Sequence, residues 1–99
     1  MFVLLTYDIG DGNSSKETSK RLNKLSRLCL KFGARVQNSV FEMDISFSDY
    51  IKLKNEIQEI IEENDSVRIY KLGKNYKNNI ELLGRPSQFE IIDDNSFIL

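Results

Sequence analysis

Apolar residues open the chain in an unbroken run, Phe2-Val3-Leu4-Leu5, which continues through Thr6, Tyr7, Asp8 and Ile9 until Gly10-Asp11-Gly12-Asn13 breaks it. Such a run bounded by turn residues predicts a central strand. Alternation along it puts Phe2, Leu4, Thr6 and Asp8 on one face and Val3, Leu5, Tyr7 and Ile9 on the other, so both faces are largely apolar. Ser14 with Glu17 fits a capping box and Gly33 a position just past a helix C-terminus, which predicts a helix between them. On that helix Leu22, Leu25, Leu28, Cys29 and Phe32 share one arc of roughly 120° at about 100° per residue. Lys16, Lys20, Lys24, Arg27 and Lys31 occupy the opposite side as a basic ridge.

Val36, Val40, Phe41, Met43 and Ile45 punctuate the stretch from Ala34 to Ile45, and the parity of the apolar positions changes between Val40 and Phe41. This predicts a strand with a bulge at that point. Ser46 and Asp49 can cap a second helix with Tyr50, Leu53, Ile57, Ile60 and Ile61 inward and Glu56, Glu59, Glu62 and Glu63 outward, ended by Asn64-Asp65. Val67 to Leu72 alternates as a strand should. Gly73 to Asn79 reads as a polar turn, Ile80 to Leu83 as a short edge strand closed by Gly84 and Pro86, and Phe89 to Leu99 as a last strand or adhering tail. The order is β-α-β-β-α-β with one extra C-terminal strand, the ferredoxin-like split pattern of the α+β class. Right-handed crossovers put both helices on one side of such a sheet. The other side carries Phe2, Leu4, Arg68, Tyr70 and Leu72, too apolar to stand in water, so two chains are expected to pack sheet to sheet as a homodimer.

At 99 residues, with 5 Gly and 1 Pro, the chain suits one ordered domain over residues 1–99, with 87–99 as its terminal strand or tail. With no His and a single Cys, one chain cannot build a Cys/His zinc site, a Ser-His-Asp triad, a Cys-His nucleophile or an internal disulfide. Any catalysis rests on carboxylates, Lys, Tyr or Ser, or on a hard metal held by oxygen. No apolar stretch approaches a membrane span and no basic region precedes Met1 to Leu5, so a cytoplasmic protein without membrane contact is expected.

The formal net charge of −1 hides opposed blocks. Residues 16–31 hold six basic residues and one acidic, and residues 66–86 five and one, so two zones are strongly positive. Residues 49–65 and 87–99 are acidic. The positive zones can contact phosphates, or can simply be solvated faces. With no Trp in the chain, backbone contact is favoured over stacking on single strands. Among the carboxylates, Asp8 sits at a strand end beside a Gly-rich loop, where functional groups gather. It is either a loop cap or, if a dimer axis passes near the strand end, one of two Asp8 copies sharing a Mg²⁺ or Mn²⁺ ion. Cys29 lies in the apolar stripe and reads as a small buried hydrophobe.

Thr6-Tyr7-Asp8-Ile9 on the first strand and Arg35-Val36-Gln37-Asn38-Ser39-Val40-Phe41-Glu42 on the second, together with Arg68-Ile69-Tyr70 and the Leu72-Gly73 turn, resemble the CRISPR-associated endonuclease family two ("Cas two") of spacer acquisition. The resemblance spans nearly the whole chain. It implies a ferredoxin-like homodimer that binds duplex DNA, or RNA, and in some members cleaves phosphodiester bonds with a divalent metal. It further implies Asp8 as the metal ligand from each subunit with Tyr7 beside it, and Arg35 and Phe41 as residues that cleave or shape the site. Lys16, Lys20 and Arg21 are implied phosphate contacts, alongside Lys24, Arg27 and Lys31 of the ridge. The implied partner is the integrase ("Cas one"), with the C-terminal tail contributing to dimer or partner contacts. Two functions follow, a Mg²⁺-dependent endonuclease and a non-catalytic DNA-binding adaptor that bridges integrase subunits. A third is a toxin-like ribonuclease of the virulence-associated protein D kind, which shares the fold.

Overall fold

The structure, a computed structural model, describes residues 1–10 and 15–84. Strand β1 (Phe2–Asp8) is central, as its two apolar faces require, and it is flanked by β3 (Val40–Asp44) and β4 (Ser66–Leu72). With β2 (Ala34–Gln37) beyond β3, the sheet order is β2-β3-β1-β4 and all neighbours are antiparallel. Helices α1 (Lys16–Phe32) and α2 (Phe47–Ile60) pack against each other and supply the second layer of the core. This is the expected α+β arrangement.

Two expectations about the first half of the chain change. The stretch Ala34 to Ile45 is two strands joined by a turn at Asn38-Ser39, and the irregularity sits on β2 between Arg35 and Gln37, not at Val40. The cap of α1 is Ser15, whose Oγ accepts the Thr18 N–H at 3.1 Å; Ser14 lies outside the described residues. Gly33 stands just past the end of α1, as expected, in ordinary extended backbone with a φ of −164°, a conformation that does not itself call for glycine. It is small for another reason: a Cβ there would overlap the Glu42 carbonyl oxygen and Met43 Cγ, where the end of α1 descends onto β3.

Helix α2 begins as expected, with Ser46 Oγ accepting the Asp49 N–H, but ends at Ile60. The chain is drawn out of the helix because Asp65 takes the Glu62 N–H on its side chain while its own N–H donates to the Glu62 carbonyl. After β4, a 3-10 turn (Tyr76–Asn79) replaces the polar loop, and Ile80 to Leu83 is not a strand. The Tyr76 ring stacks on Phe2 with centroids 3.8 Å apart and covers one end of the sheet face turned away from the helices. The expected C-terminal strand or tail, 87–99, lies outside the described residues.

Val3, Leu5, Tyr7, Phe41 and Met43 meet Leu25, Leu28, Cys29, Tyr50, Leu53 and Ile57 between sheet and helices. Seven side chains are sealed from solvent there, and burying an apolar side chain of this size contributes about 1.5–3 kcal/mol. On the far face, cross-strand pairing aligns Leu4 with Tyr70, Thr6 with Arg68 and Asp8 with Ser66. Directly opposed residues share a face. The parity expectation therefore holds, and Tyr70 remains 46% exposed on this side.

Candidate functional site

Asp8 closes β1, exposed, in register with Ser66. It faces away from the helices at the end of the sheet opposite the Phe2–Tyr76 stack. Nearby on the same face, Arg68 Nη1 donates to the Tyr70 hydroxyl at 3.3 Å, and that bond raises the arginine's pKa. Among the described residues no group of three or more His, Cys, Asp or Glu side chains is arranged to hold a metal ion. Among the described residues, Asp8 therefore stands as an exposed carboxylate outside any such group. That donor fits Mg²⁺ or Mn²⁺ as part of a shared site, because Mg²⁺ is commonly held by one or two carboxylates plus waters and substrate phosphates. It does not form a complete cage within one chain.

Tyr7 does not stand beside Asp8. Strand alternation sends it to the helix side, where it is buried and stacks near Phe41 with ring centroids 6.0 Å apart. Its hydroxyl lies 3.1 Å from Ser26 Oγ and donates to the Asn38 carbonyl at 3.3 Å. Arg35 Nη2 donates to the same Ser26 Oγ, and its guanidinium sits 5.2 Å over the Phe41 ring. The proton arrangement that satisfies all three runs from Arg35 to Ser26, from Ser26 to Tyr7 and from Tyr7 to Asn38. Tyr7, Arg35 and Phe41 are thus brought together, but beneath β1. Phe41 is fully buried, so this group supports the strand from the core rather than touching a molecule on the Asp8 face. Ser26 was missed by sequence reasoning; its one signal is a hydroxyl residue adjoining the apolar stripe of α1.

Arg21 is corrected outright. Its Nε and Nη2 grip the two oxygens of Asp65 at 2.9 and 3.1 Å, and Nη1 pairs with Glu62 at 3.2 Å. It is an internal tie, not a free phosphate contact. Asp65 is the second missed residue. Its carboxylate is sealed from solvent and accepts the Gly10 N–H at 2.8 Å and the Glu62 N–H at 2.9 Å besides the arginine. The arginine's hydrogen bonds, helped by the two backbone donors, outweigh the cost of burial and hold the Asp65 pKa down at about 2. The cleft beside this tie, about 600 Å³, is bordered by Glu17, Glu62 and Glu63, which would repel a phosphate.

The remaining ridge is intact: Lys16, Lys20, Lys24, Arg27 and Lys31 are all exposed on α1. Their spacing of four, four, three and four residues runs the length of one helix face, ~22 Å at 1.5 Å per residue. Cys29 is fully buried, and desolvation pushes its thiol up to about 12 against a weaker opposing pull from Arg35.

Comparison with known proteins agrees with this arrangement. The sequence model of the family described as CRISPR associated protein Cas2 matches residues 1–80. A CRISPR-associated endonuclease Cas2 of Halalkalibacterium halodurans is 44% identical over 94 residues, covering 94% of this chain and 96% of that protein. A CRISPR-associated endoribonuclease Cas2 of Moorella thermoacetica is 38% identical over 85% of this chain and 86% of its own length. The crystal structure of Streptococcus pyogenes Cas2 at pH 6.5 superimposes with a TM-score of 0.74 at 41% identity, over 85% of this chain and 100% of that one. With fold, strand motifs and sequence all in agreement, the chain belongs to the CRISPR-associated Cas2 family.

Proposed function

We propose that this chain is one half of a two-chain nuclease of CRISPR spacer acquisition, which binds duplex nucleic acid and hydrolyses phosphodiester bonds with Mg²⁺ or Mn²⁺. The observation that carries the reading is the exposed Asp8 at the open end of the bare sheet face. A second copy laid on that face would cover Leu4 and Tyr70 and complete the ion's ligands with its own Asp8. Relatives named endonuclease and endoribonuclease support the reaction class.

The ion, when bound, supplies Lewis acidity toward a phosphoryl oxygen. Asp8 holds it. The α1 ridge neutralises phosphates and keeps the backbone in register, while the Tyr7–Ser26–Arg35 relay fixes β1 from below. A chain without His has no imidazole to act as base, which puts the burden on positioning and electrostatics. Cleavage by wild type and Asp8→Ala, on matched duplex DNA and single-stranded RNA with Mg²⁺, Mn²⁺ and chelator, tests this. Loss of cleavage with dimer mass retained in light scattering is expected, and equal activity in the variant retires the proposal.

The ridge favours a second reading, a non-catalytic adaptor that holds DNA between integrase subunits. It predicts duplex binding by wild type and Asp8→Ala alike, with no cleavage by either in any metal.

A further inference from the structure

The last ladder pair at the open end of the sheet is Asp8 with Ser66. One step beyond it, the same two chain segments are joined again, by the Gly10 N–H donating to Asp65 at 2.8 Å. Asp65 immediately precedes Ser66 and Gly10 follows Asp8 by two residues, so the hydrogen bond brackets Asp8 on its far side. Gly10 also lies close against α1, with little room for a side chain. Its φ is +89°, a conformation that favours glycine, and a Cβ there would lie 3.0 Å from Thr18 Cγ2 on α1. The Asp65 carboxylate is itself gripped by both Arg21 donors and by the Glu62 N–H, with no exposed surface.

We propose that Asp65 is a positioning residue for Asp8. It anchors the exit of β1, and so fixes the direction from which the Asp8 carboxylate meets a divalent cation; this rests on Asp8 being the metal ligand, as proposed above. A tie that only stapled α1 to the α2–β4 loop would need Arg21 and Glu62 but not Gly10. The Gly10 contact is what connects the buried ion pair to the site. Partners hydrogen-bonded directly to a metal ligand typically change metal affinity about 10–100-fold when removed; Asp65 acts one step further out, through the backbone at Gly10, so the low end of that range is expected.

Mn²⁺ binding to the full chain, by calorimetry and by the loss of free Mn²⁺ signal in electron paramagnetic resonance, tests the proposal alongside amide exchange at Gly10. Asp65→Asn should exchange the Gly10 amide faster and bind Mn²⁺ about tenfold more weakly. Cys29→Ala, which loosens the core two turns further along α1, should melt earlier yet keep Mn²⁺ affinity within about twofold, which separates positioning from general destabilisation. If Asp65→Asn does not fold, Arg21→Lys keeps the charge balance while opening the fork, and a roughly threefold loss of affinity is expected. Wild-type affinity in the folded variant, with Asp8→Ala unable to bind, overturns the positioning role alone. Equal Mn²⁺ binding by wild type and Asp8→Ala overturns the assignment of Asp8, and the inference falls with it.

Discussion

Replacing Gly33 by alanine sets two effects of opposite sign against each other. The residue is extended, with φ and ψ both −164°, so alanine fits the backbone and should gain about 0.4–1 kcal/mol from a less flexible unfolded chain. Against this, the new Cβ would overlap the Glu42 carbonyl oxygen and Met43 Cγ and sit 3.0 Å from Met43 Cα. Two of those three atoms belong to the backbone of β3, which cannot rotate aside as a side-chain tip would. Overpacking of this kind costs about 1–3 kcal/mol, and a rigid neighbour places it at the upper end. The net expectation is a loss of about 2 kcal/mol, or ~8–16 °C in melting temperature for a domain of this size. Gly73 supplies the internal control, because a Cβ there meets nothing within 4 Å. Gly73→Ala should raise stability by about 0.4–1 kcal/mol. Thermal and urea unfolding of the two variants side by side checks this. A Gly33→Ala chain that melts at or above wild type would refute the claim that α1 meets β3 closely enough to require glycine.

Three other outcomes follow from the same geometry. Removing Lys20, Lys24 and Arg27 together should reduce the slope of log binding constant against log salt for duplex DNA by about 2.7, at roughly 0.9 per phosphate contact; an unchanged slope in fluorescence anisotropy moves the nucleic-acid surface elsewhere. Asp65 has its pKa lowered in the folded state, so the stability it provides is present above its unfolded value near 4 and is lost as pH falls toward about 2. Acid unfolding followed by circular dichroism should therefore show a component between those values that Asp65→Asn lacks. Cys29 should resist a thiol reagent at pH 8 until the chain unfolds, because burial holds the thiol protonated; fast labelling of the native protein would contradict this.

The strand Phe2–Asp8, both helices, the Ser46 cap and the two faces of the sheet were legible because each is written in residues close together in the chain. The turn at Asn38-Ser39 was not. Its two residues are Asn-Ser, without the glycine of the Asn-Gly signature by which such turns are recognised, and neither takes a positive φ. Ile80 to Leu83 looked like a strand by composition, but the chain had already turned aside to stack Tyr76 on Phe2, a contact between residues far apart in sequence. The site shows the same division. Asp8 was visible as a strand-end carboxylate. Asp65 was visible only as the end of a helix, since its partners Gly10 and Arg21 lie 55 and 44 residues away. For the same reason Arg21 was counted with the basic residues around it, although the fold had taken its charge inward.

An ionised carboxylate has about four lone-pair positions to give. At Asp65 all four have takers, two donors on each oxygen: Gly10 and Arg21 Nη2 on Oδ1, Glu62 and Arg21 Nε on Oδ2. Its lone-pair positions are all taken, so this buried carboxylate has none left to offer a cation. Of the two described acids that flank the exit of β1, the fold has thus filled one, Asp65, and left the other, Asp8, facing solvent.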